Sequence, residues 1–290
     1  MNGTAMHVFD TPDALRDWSD AQRVGGHRVA LVPTMGALHD GHTALVDEAR
    51  RHGDRVVVSI FVNPLQFNRT DDFAAYPRPI DDDLARCRAL DVDAVYAPTA
   101  AAMYPDGFQT HVEPGELAEV LEGAHRPGHF RGVVTVVAKL FGAARPHVAV
   151  FGQKDFQQLT IIRRMVADLD LGIDVVGMPT VREADGVAMS SRNRRLSPAE
   201  RTAAVCVPRA LQAVAAALAA GERDATRLVA LGRAVIDREP LARFEHLEIV
   251  HPTTLRQLAN IDDAAVAVTA VWFGDVRLID NRELLARRPA

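Results

Sequence analysis

Lysine is almost missing from this chain of 290 residues: Lys139 and Lys154 are the only two, and arginine supplies the rest of the 33 basic residues. Such a bias is what drift toward arginine leaves wherever either cation serves. The two survivors then mark positions where a compact ammonium is needed, although chance retention explains a lone lysine equally well. Cysteine is as scarce, with only Cys87 and Cys206. That excludes a disulfide framework and suits a reducing compartment, so a cytoplasmic protein is expected. No apolar run has the length of a membrane span, and residues 1–23 mix Asp, Pro and Trp without the apolar centre of a signal peptide. Net charge is −5, which argues against a nucleic-acid surface spread over the whole protein. There is no internal repeat, and no low-complexity segment beyond alanine enrichment near the C-terminal third. Neither a nucleic acid nor a membrane is an expected partner.

The balance is that of an ordinary globular protein, 48% hydrophobic and 24% charged, long enough for one large domain or two ordinary ones. The chain is organised around Val32-Pro33-Thr34-Met35-Gly36-Ala37-Leu38-His39-Asp40-Gly41-His42. An apolar run from Arg28 to Val32 has strand character, and Leu45, Val46 and Ala49 recur at helical spacing after it. A strand that turns through Pro, Gly and Asp into a helix is what a parallel α/β sheet needs at its first switch. Backbone N–H groups and the positive end of the helix dipole attract phosphate at such a helix start, and two imidazoles there add donors. A triphosphate site is one reading of His39 and His42. Surface histidines at a helix start are another. A shared metal ion is a third, weakened because no Glu follows the first His as in a zinc protease and cysteine is nearly absent.

Further along, a first helix is expected over Thr11–Gln22, with Pro12 at its first position, and the helix from Gly41 should stop near Gly53. Arg55–Val62 reads as a buried parallel strand ending in Asn63-Pro64-Leu65-Gln66-Phe67. Ligands bind at the carboxyl ends of such strands, which puts Asn63 and Gln66 on the productive edge as neutral amides for a hydroxyl or carboxylate. A turn Asn and a solvated Gln are the plain alternative. A helix over Ile80–Leu90 opens with Asp81-Asp82-Asp83, which complements the helix dipole or, more pointedly, binds magnesium beside a nucleotide. The loop Glu122–Gly132, rich in Gly, His and Arg, either covers an anion or simply connects. It leads into a helix over Val133–Phe141.

A strand over His147–Phe151 ends in Gly152-Gln153-Lys154-Asp155-Phe156-Gln157-Gln158. Gly152 allows backbone close to a ligand, Lys154 offers a point charge for phosphate, and Asp155 suits a ribose hydroxyl or a helix cap. Gln158 lies about one turn past Lys154. A last core strand covers Asp174–Gly177. Ser190, Ser191 and Arg192, downstream of Gly186, make a phosphate clamp plausible. From Ser197 onward, alanine-rich helices over Pro198–Ala220 and Ala225–Asp237 precede strands at Phe244–Val250, Ala265–Trp272 and Val276–Leu278. The expected fold is α/β, a Rossmann-like parallel-sheet domain over 1–184 followed by a smaller α+β C-terminal domain over 185–290.

These motifs, in this order, resemble the pantothenate synthetase (pantoate–β-alanine ligase) family. The matching stretches are Pro33 to His42, Ser59 to Phe67, Arg126 to Gly132, Phe151 to Gln158 and Ser190 to Asn193, and the resemblance covers about residues 28–280. His-x-Gly-His alone points only to the wider nucleotidyltransferase superfamily; Gln66 with Gln158 and the last two motifs are more specific. The resemblance implies a cytoplasmic homodimeric ligase that uses MgATP to join pantoate to β-alanine through pantoyl adenylate, releasing pyrophosphate and AMP. It implies ATP contacts at Met35, Gly36, Ala37, Leu38, His39, Asp40, Gly41 and His42, at Gly152, Gln153, Lys154 and Asp155, and at Val181, Met189, Ser190, Ser191 and Arg192. Gln66 and Gln158 would hold pantoate, with Asn63 beside them and Gln66 also meeting β-alanine. His42 would be the proton donor, with His39, Lys154 and Arg192 stabilising charge. It assigns no residue to magnesium. A nucleotidyltransferase that leaves AMP or CMP on its product would share the histidines without needing both glutamines. A non-catalytic nucleotide-binding protein that kept the fold and lost the chemistry is a third class, and the presence of every charged or hydroxyl group named above argues against it.

Overall fold

A computed structural model describes residues 6–285, and the chain divides into two compact units. One comprises residues 1–153 and 157–179, the other residues 154–156 and 180–290. The division at Pro179/Thr180 stands beside an expected boundary at 184/185, and the short Lys154–Phe156 turn groups with the C-terminal unit.

The first unit is a parallel sheet with helices on both faces. In chain order it holds β1 (His7–Phe9), α1 (Pro12–Val24), β2 (Val29–Thr34), α2 (Asp40–His52), β3 (Arg55–Ile60), α3 (Thr70–Ala75) and α4 (Ile80–Ala89). There follow β4 (Ala94–Tyr96), α5 (Ala100–Met103), α6 (Glu122–His125), α7 (His129–Ala144), β5 (Val148–Gly152), α8 (Phe156–Asp168) and β6 (Asp174–Met178). The strand order is β1-β4-β3-β2-β5-β6, every pairing parallel. From β2 the chain steps outward to β3 and β4, then returns to place β5 on the other side of β2. The carboxyl ends of β2 and β5 therefore flank the topological switch point, where open α/β sheets bind ligands. Valines dominate β2 and β3 because both sheet faces are covered. Leu31, Val57, Phe141 and Leu159 pack on one side; Val32, Val46, Val58 and Val150 pack on the other.

Short elements differ most from what the sequence pattern leads one to expect: α3, α5 and α6 have no expected counterpart, and α6 lies within the stretch expected to be a loop, Glu122–Gly132. Strand β1 has no counterpart in that pattern; its three residues pair with β4 in register His7↔Ala94, too short a run for any periodicity to declare. Helix α7 begins at His129 instead of Val133, because Gly128 takes the left-handed conformation (φ 79°) that lets the chain turn sharply into the helix.

The second unit contains α9 (Pro198–Ala203), α10 (Cys206–Ala219), α11 (Ala225–Ile236), β7 (Ala242–Val250), β8 (Ala264–Phe273) and β9 (Val276–Leu285). The three strands form an antiparallel sheet in the order β7-β8-β9. Its helices bury Val207, Leu211, Val214 and Leu228 against Leu247, Ala267 and Val271. The single expected helix over Pro198–Ala220 is broken. Pro208 has no N–H to return to the carbonyl of Ala204, so Val205 and Val207 instead donate three residues back, to Thr202 and Ala204. The stretch Pro198–Ala219 is long and apolar enough to cross a membrane by composition, but its Ala203, Val207, Ala210 and Val214 are buried in this core. Strand β9 runs to Leu285, well past the expected Leu278, as its register with β8 continues to Ala264↔Leu285.

Candidate active site

At the end of β2 the chain makes a tight turn in which successive N–H groups are each claimed by a side chain. Gly36 donates to Thr34 Oγ1 (3.1 Å), Ala37 to Asp83 Oδ2 (2.8 Å), Leu38 to Asp83 Oδ1 (2.7 Å) and His39 to His42 Nδ1 (3.2 Å). Thr34 Oγ1 in turn donates to the carbonyl of Ser59 on β3 at 2.7 Å. Gly36 and Ala37 both lie in the left-handed region, at φ 77° and 51°. A Cβ at position 36 would stand 2.8 Å from Asp83 Oδ2 and 3.0 Å from Ile60 Cγ2, so this glycine is required by the turn itself.

His39 then caps α2. Its Nδ1 accepts from the N–H of Gly41 (3.1 Å), and with His42 it forms a reciprocal capping box in which two imidazoles replace the usual hydroxyl and carboxyl. Both Nδ1 atoms are acceptors, so in each neutral ring the proton sits on Nε2. The rings lie 4.1 Å apart between centroids. Burial, then the neighbouring His39, then Arg86 push the pKa of His42 down to about 3. His42 is thus a neutral imidazole at physiological pH, a hydrogen-bond donor through Nε2–H. Asp40, exposed at the first turn of α2, pairs with Arg86 at 2.9 Å.

The Asn63–Gln66 turn follows β3. Asn63 is 1% exposed, and its amide is fully engaged. Nδ2 donates to Gln66 Oε1 and to the carbonyl of Gly132, both at 3.0 Å, while Oδ1 accepts from Tyr104 Oη (2.7 Å) and Leu65 N–H (3.3 Å). Gln66 Nε2 reaches Met35 Sδ at 3.0 Å, which joins the expected substrate turn to the histidine motif. The Arg126–Gly132 motif packs beneath this turn. His129 Nδ1 donates to the carbonyl of Gln66 (2.7 Å), and Arg126 donates to the same carbonyl (3.1 Å) and to His129 Nε2 (3.1 Å). Gly132 is there because a Cβ would fall 2.2 Å from the carbonyl oxygen of Leu65. This loop, which as sequence reads equally as an anion cover, is a support for Gln66. Sequence reasoning misses Tyr104, whose hydroxyl is 41 residues from Asn63 and belongs to no motif.

Of the two adjacent glutamines on α8, Gln157 is buried and structural. It donates to the carbonyls of Leu117 and Val120 (2.7 and 2.8 Å) and accepts from Glu122 N–H (2.9 Å). Gln158 is half-buried on the same helix, and no side-chain hydrogen bond ties its amide to the described residues. Gly152 and Gln153 close β5, next to β2 in the sheet. The acid triplet divides: Asp81 and Asp82 are exposed, while Asp83 is 2% exposed with both oxygens accepting N–H.

In the second unit, Val181 and Met189 face each other across a small hairpin, Met189 N–H donating to Val181 O at 3.0 Å around Gly186 (φ 92°). Ser190 Oγ accepts from Arg192 N–H (3.3 Å), and Asn193 Nδ2 donates to Glu183 Oε1 (2.9 Å) and Ala188 O (3.0 Å). Arg182 forks onto the buried Asp280 at 2.7 and 2.9 Å, and Asn281 donates to the carbonyl of Lys154 at 2.9 Å. Lys154, Ala188, Ser190, Asn193 and Asp280 line one small cavity, so the lysine and the serine share a site. Ser191 and Arg192 are half-buried in the turn beside it, and Asp155 is exposed. Lys139, the other lysine, stacks its ammonium 5.2 Å over the ring of Phe108 and belongs to neither set.

Comparison with known proteins covers almost the whole chain. The family model for pantoate-beta-alanine ligase matches residues 7–283. Pantothenate synthetase of Geotalea daltonii is 49% identical over 96% of this chain and 99% of its own length. Pantothenate synthetase 1 of Bradyrhizobium diazoefficiens is 51% identical over 94% and 95%. Among solved structures, pantothenate synthetase from Thermus thermophilus superposes with a TM-score of 0.90 at 44% identity, covering 96% of this chain and 99% of that one. A Francisella tularensis pantoate-beta-alanine ligase, complexed with beta-gamma ATP and beta-alanine, gives 0.79 at 31% identity, covering 98% and 99%. A match of this extent, together with the capped histidine pair and the paired Asn63 and Gln66, makes the chain a member of the pantoate–β-alanine ligase family.

Proposed function

We propose that this chain condenses pantoate with β-alanine at the expense of ATP, in two steps. A carboxylate oxygen of pantoate attacks the α-phosphorus of ATP; the bond from that phosphorus to the β-bridging oxygen breaks, and pyrophosphate leaves. The amine of β-alanine then attacks the acyl carbon of pantoyl adenylate. AMP departs with the electron pair of the acyl–oxygen bond, and the nitrogen loses its proton.

The observation that carries this reading is the histidine pair fixed by its capping box at the start of α2 next to a turn that presents Gln66. In the first step negative charge grows on the departing pyrophosphate. Nε2–H groups of His39 and His42, at the positive end of the α2 dipole, would hold those oxygens without a charge of their own to release. In the second unit Lys154 would bring a point charge, Ser190 and Ser191 hydroxyls, and Arg192 a planar fork to phosphate oxygens. Gln66 and Gln158 would hold pantoate through neutral amides, which leaves its carboxylate nucleophilic where a salt bridge would quench it. Met35 to Gly41, Gly152, Gln153, Asp155, Val181 and Met189 would shape the nucleotide site; the N–H groups of Ala37 and Leu38 already serve Asp83, so these two would contribute shape.

Magnesium would enter as part of the MgATP substrate. Family membership also supports a cytoplasmic homodimer, for which light scattering of the purified protein gives the mass. The deciding experiment is isotope exchange between ATP and pyrophosphate with pantoate present and β-alanine withheld. Exchange that depends on pantoate is the expected result; ATP binding without exchange would end the two-step reading.

A further inference from the structure

We propose that Asp83 is a positioning residue for the histidine pair: from α4 its carboxylate fills the N–H cradle of Ala37 and Leu38 and so fixes the turn that carries His39 and His42. The kinetic part of this inference rests on the adenylation reading above. Successive N–H groups turned toward one point form an anion-binding concavity of the kind that takes phosphate in other proteins. Here the two left-handed residues Gly36 and Ala37 build that concavity, and the anion in it is a side chain of the same chain, 46 positions away from Ala37.

Two other duties account for Asp83 less well than the turn does. Dipole complementation at the start of α4 is available from Asp81 and Asp82, which remain in solvent and touch nothing in the turn. Metal ligation would need access to the carboxylate, and Asp83 is 2% exposed with each oxygen turned to a backbone N–H, at 2.7 and 2.8 Å. Gly36 is matched to the same feature, since any side chain there would collide with Asp83 Oδ2. The next N–H after Leu38 is that of His39, which donates to His42 Nδ1. A rotation of the Ala37–Leu38 peptides would therefore swing the very N–H that sets the His42 tautomer. Asp83 is one peptide removed from the capping box, buried, and unable to touch a ligand itself.

The test compares Asp83→Asn with Asp17→Asn, an exposed acid on α1 that should behave as wild type. Asp83→Asn keeps the shape but turns an NH2 toward one of the two backbone donors. Expected are a fall of roughly tenfold or more in the rate of pantoate-dependent pyrophosphate exchange, KM for pantoate nearly unchanged, and altered ring 15N signals of His39 and His42 at neutral pH in protein that remains folded by circular dichroism. Unaltered histidine signals would overturn the proposal, whether the rate is kept or falls only with the folded fraction. If Asp83→Asn does not fold, Asp83→Glu is read in the same way, because it retains the charge and displaces it by one methylene. Should the wild type show no exchange, the adenylation reading fails alone, and the histidine signals still decide the role of Asp83.

Discussion

The main-chain N–H of His39 donates to Nδ1 of His42, and the side chain of His39 accepts from the backbone of the same turn, so each imidazole is held by the segment that holds the other. This reciprocity fixes a tautomer as well as a position. With Nδ1 occupied as an acceptor, Nε2 carries the proton, and with the pKa of His42 lowered to about 3, Nδ1 takes up no second proton through the neutral range. Under the proposed mechanism the pair would be a donor already in place before charge develops, which is where electrostatic stabilisation is most effective.

The ring signals of His42 should accordingly show no inflection between about pH 8 and pH 5 in an NMR titration, whereas an ordinary histidine titrates near 6.5. The sign for stability follows. The unfolded chain takes up a proton at position 42 as pH falls through about 6.5, and the folded chain does not until about 3. Over that window the unfolded state binds more protons, so stability falls with falling pH, by at most about 1.4 kcal/mol per pH unit and less for a ring partly in water. Denaturant titrations of wild type and His42→Asn at about pH 7 and pH 5 measure the difference; equal slopes with pH would mean that the ring is protonated in the native state.

Much of this is legible in the sequence, and for identifiable reasons. The strand–turn–helix around His39 and His42 is written in local periodicity, and so is the valine run of β3, because those signals lie within a short stretch of chain. The start of the helix at Pro198 is equally local, and the structure caps it with a box formed by Ser197 and Glu200. What escapes is non-local. Asp83 reads as one acid in a helix start until the fold brings it under a turn 46 positions earlier. Tyr104 and His129 carry no signal of their attachment to Asn63 and Gln66, since that attachment exists only after α7 packs on the turn. The break in the helix at Ala204 is foreshadowed by Pro208, but alanine enrichment on either side masks it.

If both groups donate to developing charge as proposed, replacing His42 or Lys154 by alanine should lower the adenylation rate by about 10²–10⁴-fold; His42→Ala should also lower stability by about 0.5–2 kcal/mol, because it removes the capping-box acceptor of the His39 N–H. Single-turnover formation of pantoyl adenylate reads this step without the second one. A near-wild-type rate for either variant would remove that residue from the chemistry.

Asn63 makes a different case, because its four hydrogen bonds all go to the protein. Asn63→Ala leaves Tyr104 Oη, Gly132 O and Gln66 Oε1 short of a partner in a buried place, at a cost of about 1–3 kcal/mol. The expected kinetic result is a raised KM for pantoate with KM for ATP little changed, since the loss reaches the substrate through Gln66. If both constants rise together, Asn63 does more than hold that turn.

Two glycines separate what the fold requires from what a ligand requires. At Gly132 an added Cβ would sit 2.2 Å from the carbonyl oxygen of Leu65, an encounter with backbone that no rotamer relieves. Gly132→Ala should therefore lower the melting temperature by several degrees or more and disturb the Gln66 turn, with KM for pantoate rising before KM for ATP. At Gly152 the same Cβ meets no described atom within 4 Å, and the residue does not have a positive φ. Gly152→Ala should leave the melting temperature where it is, or raise it slightly by reducing the freedom of the unfolded chain. Its cost should appear only when nucleotide arrives, as a KM for ATP raised several-fold, because backbone bare of a side chain at the end of β5 is what lets a phosphate or ribose come close. Calorimetry with and without ATP distinguishes the two positions: loss of stability without ligand at Gly132, loss of ligand-induced stabilisation at Gly152. An ATP-induced shift in Gly152→Ala equal to that of wild type would move the nucleotide away from the end of β5.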